Sequence, residues 1–230
     1  AAVKAGNDFE AQMSRVSAIA GAYGDDLEKL RDMAIELGAE TSFSATESAQ
    51  AMENLASAGF STEEIMQAMP GMLDLAASSC EDLASSADIA ASTLRGFQLN
   101  ASDAGHVADV LAKNAADTNA AITDTGYAMK YVAPVAQSVG WSLEEVTAAI
   151  GVMADAGIKG EQAGTTLRGA LTRLMKPTDA MQSAMDSLGI TFYDSQGKMK
   201  PLSPIIDELQ KSTEELTDEQ RDNKLATIFR

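Results

Sequence analysis

The stretch Gly140–Leu174, GWSLEEVTAAIGVMADAGIKGEQAGTTLRGALTRL, holds two helix patterns and the turn between them. Ser142 and Glu145 have capping-box spacing: the hydroxyl accepts an orphan amide and the carboxylate reaches back to the cap's own N–H. Trp141, one residue before the cap, is placed to staple onto Val146 a turn inside the helix. Val146, Ile150 and Met153 recur at three- and four-residue spacing, so one helix face is apolar. Gly157 supplies the positive φ that ends a helix, and Lys159-Gly160 leads into the next. Ala163, Leu167, Ala170, Leu171 and Leu174 form that second helix's buried stripe.

The same punctuation runs along the chain. Phe9, Met13, Val16 and Ile19 make a first helical face stopped near Gly21 and Gly24, and Asp25 is expected to cap a second helix ending at Gly38. Ser44 with Glu47 and Ser61 with Glu64 are further capping boxes, separated by the terminator Gly59. Pro70 predicts a kink or break inside its helix, and Pro134 a kink or interruption in another. Helices are also predicted over Glu81–Phe97, after Ser102, and after Thr123 or Asp124 as cap.

Beyond Lys176-Pro177 a helix runs to Gly189, and then the texture changes. Ile190-Thr191-Phe192-Tyr193 alternates, Asp194-Ser195-Gln196-Gly197 is turn-like, and Lys198-Met199-Lys200 can return, which predicts a small β-hairpin. Pro201 and Pro204 open another helix, and Thr217 with Gln220 begins the last. The expected fold is all-α: short antiparallel helices with one β-hairpin near residues 190–200. Residues 1–40 read as a helical hairpin or stem, 41–189 as the helical core, and 190–230 as the hairpin with C-terminal helices.

The chain has 41 alanines, which favour helix and permit close helix crossing while burying little area each. A-M-E-N-L-A-S-A-G-F-S-T-E-E-I from Ala51 resembles A-M-K-Y-V-A-P-V-A-Q-S-V-G-W-S-L-E-E-V from Ala128, the second copy being one turn longer, and T-L-R-G occurs at Thr93 and Thr166. A duplicated hairpin explains this, and so does the shared composition of capped, Ala-rich helices.

Net charge is −17, which disfavours a polyanionic partner such as nucleic acid. The charge is uneven: between Thr41 and Ile158 fifteen acidic residues face three basic ones, Arg95, Lys113 and Lys130. Lys159, Arg168, Arg173 and Lys176 then cluster against Glu161 alone, which marks them as the candidate partner-binding residues. Cys80 is the single cysteine, so no intrachain disulfide is expected, and no apolar run reaches the length of a membrane span. The chain opens AAVKAGNDFE without a methionine and stops at TIFR in mid-pattern, as a piece of a longer protein would.

No catalytic, metal or cofactor site is expected. His106 is the only histidine, which leaves zinc without its usual ligands and a Ser-His-Asp triad without a nucleophile elbow. Gly160 to Thr166 lacks the lysine of a P-loop. Paired carboxylates such as Glu63-Glu64 and Glu144-Glu145 fall in first turns, where the helix dipole favours negative charge. Glu47-Ser48 is the pair to check for glycosidic chemistry, which needs a carboxyl of raised pKa. The methionines read mainly as core filler, with an adaptable groove as the alternative.

The runs G-W-S-L-E-E, A-D-A-G-I-K-G-E-Q-A-G-T-T-L-R and L-G-I-T-F-Y-D-S-Q-G-K resemble the core region of phage tail tape measure proteins, and the similarity extends from about Phe9 to the last residue. That resemblance implies a structural, non-enzymatic protein of a tailed phage or prophage, in the virion tail and, during assembly, in the host cytoplasm. It implies a role in tail length determination and, as partners, the tail tube, the tail tip or baseplate and the tail assembly chaperone, with self-association. The chain lacks the sustained heptads of a ruler rod, so it is expected to be a folded, partner-engaging part. The alternatives are a cell-wall-penetrating murein hydrolase domain and a helical adaptor unrelated to phage.

Overall fold

The computed structural model describes residues 2–79 and 81–229; Cys80 lies outside them. The described chain is helical: α1 (Ala2–Ala20), α2 (Asp25–Glu40), α3 (Ala45–Ser57), α4 (Thr62–Ser79), α5 (Leu83–Phe97), α6 (Ala104–Asp117), α7 (Ile122–Ser138), α8 (Leu143–Asp155), α9 (Gly160–Met175), α10 (Asp179–Leu188), α11 (Leu202–Thr213) and α12 (Asp218–Phe229), with a 3-10 turn at Ala101–Asp103. From α1 to α9 each helix packs on its neighbour in sequence and on the next but one, and beyond them α10 packs on α12. One row is α1, α3, α5, α7 and α9; a second is α2, α4, α6 and α8. This two-layer stack of helical hairpins is the architecture of an α-solenoid.

The turns carry the repeat. The N-caps of α3, α5, α7 and α9 are Ser44, Asp82, Ala121 and Lys159, about one every 38 residues. Between paired helices, Gly59, Gln98 and Gly140 take φ of 83°, 56° and 81°. The next residue in each case returns its N–H to the carbonyl five residues back: Phe60 to Leu55, Leu99 to Leu94 and Trp141 to Ala136, at 2.9–3.1 Å. A cap follows immediately, with its carboxylate three residues on: Ser61 with Glu64, Asn100 with Asp103, Ser142 with Glu145. The return turns match too. The hydroxyls of Thr41, Ser79 and Thr118 accept the N–H two residues ahead at 3.2 Å. Ala51 and Ala128 therefore occupy equivalent positions two units apart, whereas the two T-L-R-G copies lie a helical turn out of register with each other.

Small residues set the spacing of the first row. Five positions past each cap stand Ala49, Ala87, Gly126 and Gly164, all buried. A Cβ at Gly126 would overlap the Ile89 side chain, and one at Gly164 the Ala128 backbone carbonyl. Ile89 and Ala128 hold the same place in their own units, so one contact is used twice. Around it Met52, Leu55, Leu94, Met129, Val132 and Leu171 fill the layer between the rows.

Several local expectations need correction. Helices α4 and α7 run unbroken through Pro70 and Pro134. Both prolines are exposed, so the carbonyl each leaves unpaired lies on the solvent side while buried neighbours hold the helix together. Gly38 does not end α2; it lies inside the helix, where its missing side chain admits Ala45. The N-caps of α2 and α7 are Gly24 and Ala121 rather than Asp25 and Thr123 or Asp124, and that of α6 is Asp103 rather than Ser102, with Asn100 capping the 3-10 turn ahead of it.

The β-hairpin does not form: among the described residues there is no strand, only a single antiparallel bridge between Tyr193 and Met199. The ladder has nowhere to extend. The next pair in register would be Ile190 with Leu202, but the Ile190 N–H is committed to Met185 O in the cap of α10 and the Leu202 N–H to the Glu145 carboxylate. The turn inside the bridge is fixed by Asp194, whose carboxylate takes the amides of Gln196 and Lys198. The loop still has a structural task. Phe192 and Met199 are buried, Trp141 Nε1 donates to Lys200 O at 3.0 Å, and Leu202 N donates to Glu145 at 3.1 Å. It is clamped onto the α7–α8 turn.

The close crossing makes a paired prediction. Gly164→Ala pushes α9 off α7 and is expected to cost about 2 kcal/mol. Gly169→Ala, in the same helix with nothing within 4 Å, is expected to add up to about 1 kcal/mol through helix propensity. Chemical denaturation of the two variants checks both signs.

Candidate interaction surface

Helix α9 ends the first row and carries the four basic residues singled out above, but it does not bring them into one patch. Lys159 is the N-cap and Lys176 the C-cap of a helix of 16 residues, which places them about 24 Å apart. Lys159 is half-buried and turned toward Asp124, at 4.0 Å. Arg173 donates to the Phe229 carbonyl at 2.7 Å and so ties α12 to α9. Arg168 and Lys176 are exposed, and their spacing puts them on one face, with Thr172 between. The Arg168 guanidinium lies 5.9 Å from the Tyr131 ring centroid on α7, a neighbour that charge counting along the sequence does not reveal.

Of the carboxylates considered for chemistry, Glu47, Glu64 and Glu145 serve as helix caps. Glu47 accepts from both the Ser44 N–H and the Ser44 hydroxyl at 2.7 Å. These bonds hold its pKa below the ordinary value, the reverse of what a glycosidic general acid requires. Glu64 and Asp82 are lowered in the same way, chiefly by the backbone amides of Ser61 and Ser85. His106 is half-exposed on α6, with Nε2 at 2.6 Å from Glu144 of α8. Burial works to raise Glu144, yet hydrogen bonds from its own amide, Ser142 and His106 leave it lowered. Two buried hydroxyls, Ser48 and Thr147, have no partner among the described residues.

What fold and surface define together is a helical-hairpin stack whose polar groups secure turns, an arrangement suited to protein contacts. Its family follows from sequence comparison: residues 31–229 match the phage-related minor tail protein family, and the chain belongs to it. It is 60% identical over 229 residues to the tape measure protein of Pneumococcus phage Dp-1, covering 100% of this chain and 20% of that protein. It is 34% identical over 228 residues to the probable tape measure protein of Escherichia phage P2, covering 97% of this chain and 28% of the relative. The chain thus spans between a fifth and a third of the length of these relatives. No solved structure matches it. Among the described residues no helix is long and apolar enough to cross a membrane.

The capping carboxylates predict an acid limb of stability. Their folded pKa values lie below the unfolded ones, so the stabilisation is complete above the unfolded value and lost as pH falls through the folded one. The urea midpoint is expected to be flat near neutrality and to drop below about pH 4. In Glu47→Gln the drop should be shallower, because one titrating cap is gone.

Proposed function

We propose that this chain is a folded, partner-engaging part of a tail tape measure protein, acting in virion tail assembly rather than in catalysis. The observation that carries the reading is family membership over residues 31–229 combined with an architecture of short stacked hairpins. A ruler needs a long uninterrupted rod, whereas a stack of hairpins offers surfaces. Residues 1–40, 41–189 and 190–230 then serve as the opening hairpin, the body of the stack and the clamp that closes it. The partners are the tail tube, the tail tip or baseplate and the assembly chaperone. The net charge of −17 keeps many copies soluble and repels an acidic tube wall. Contact with an acidic partner is made by α9, through Arg168 and Lys176 with Lys159 and Arg173 beside them.

Binding of the purified chain to tail tip and tube proteins of the same phage tests this. Affinity through α9 is expected to fall as salt rises from about 50 to about 300 mM. Arg168→Glu with Lys176→Glu should weaken it about tenfold at the lower salt. Binding that ignores both salt and these substitutions would contradict the assignment. Peptidoglycan release abolished by Glu47→Gln would overturn the structural reading altogether.

A further inference from the structure

A groove of about 630 Å³ runs along the second row of the stack, between α6 and α8, and no residue of α9 lines it. The two helices meet at one end, where Gly151 has no side chain to hold off Asn114 and Thr118. At the other end the His106–Glu144 pair spans the gap at 2.6 Å. Between those ends the lining is aliphatic, from Val110 of α6 and Ala148 and Val152 of α8. Val152 is a β-branched apolar residue left 69% exposed on the lip, more than any other large aliphatic side chain among the described residues. The groove extends over about three helical turns, enough for two anchors spaced i, i+4 on a bound helix.

Its rim selects by charge. Asp109 and Asp117 come from α6 and Glu144 from α8. The only lysine is Lys113, and it is already paired with Asp117 at 2.5 Å. The span of sequence that holds both helices has the same sign, with fifteen acidic residues against three basic ones between Thr41 and Ile158. An acidic segment is disfavoured here because like charges juxtaposed at an interface are costly. We propose that the α6–α8 groove is the docking site for a basic amphipathic helix of a partner protein, which seats two aliphatic anchors against Val110, Ala148 and Val152 and sets lysine or arginine against Asp109, Asp117 and Glu144. This proposal does not depend on which tail component α9 contacts.

The test is a fluorescence titration of the whole chain at about 150 mM salt. The probe is a leucine–lysine amphipathic helical peptide; its twin has glutamate at every lysine. The lysine peptide is expected to bind and the glutamate twin not to. Val152→Asp, at an exposed site, should weaken the lysine peptide at least tenfold with the thermal midpoint unchanged. Diffuse attraction to an acidic protein gives the opposite sign, since the same substitution adds negative charge. Equal binding of both peptides, or an affinity that Val152→Asp leaves unchanged or raises, would overturn the proposal. So would a concentration-dependent dimer that Val152→Asp dissociates, which would assign the groove to a second copy of this chain.

Discussion

The stack rests on the close approach of a glycine backbone on one helix to the alternate helix beside it. At Gly164 the α9 backbone lies against the Ala128 carbonyl of α7, and at Gly126 the α7 backbone lies against Ile89 of α5. No side chain larger than a hydrogen fits at either glycine, so these contacts fix how far apart the helices of the first row can be. An alanine-rich composition buries little area per residue, and close approach is how such a chain still reaches a dense interior. The larger side chains, Met52, Met129, Leu94 and Leu171, then fill what the small ones leave between the rows.

Much of the helical order was legible because its signals are local. Ser44 with Glu47, Ser61 with Glu64 and Ser142 with Glu145 close within three residues, so reading them needs no knowledge of the rest of the fold. The repeat was half visible for the same reason. Units with Gly and Ser at the turn stood out, while the middle unit uses Gln98 in the left-handed region and Asn100-Asp103 as its cap, and so hid. Ala121 was illegible as a cap because it has no side chain to cap with; Asp124 supplies the bond from inside the helix. Pro70 and Pro134 do not break their helices, because the effect of a proline depends on which side of a helix it occupies and both lie on the exposed side. The predicted hairpin failed on hydrogen-bond supply at its two ends, which strand propensity does not count.

The interaction surface was less readable. Lys159, Arg168, Arg173 and Lys176 are close in sequence, yet the length of α9 separates them and two already have partners within the chain. Conversely the α6–α8 groove joins residues almost forty positions apart, a proximity created only by the stacking of alternate helices. Charge nevertheless organises both surfaces. A long acidic span covers the middle hairpins and a basic helix edge terminates the row, so the two faces suit partners of opposite sign.

The most direct test of the stacking claim is an NOE spectrum of the isotopically labelled chain. The account predicts cross-peaks between the Gly126 α-protons and the Ile89 methyls, and between the Gly164 α-protons and Ala128. Helices that are formed but lack both sets of cross-peaks would show that the hairpins do not stack through these glycines, and the repeat architecture would fall with them.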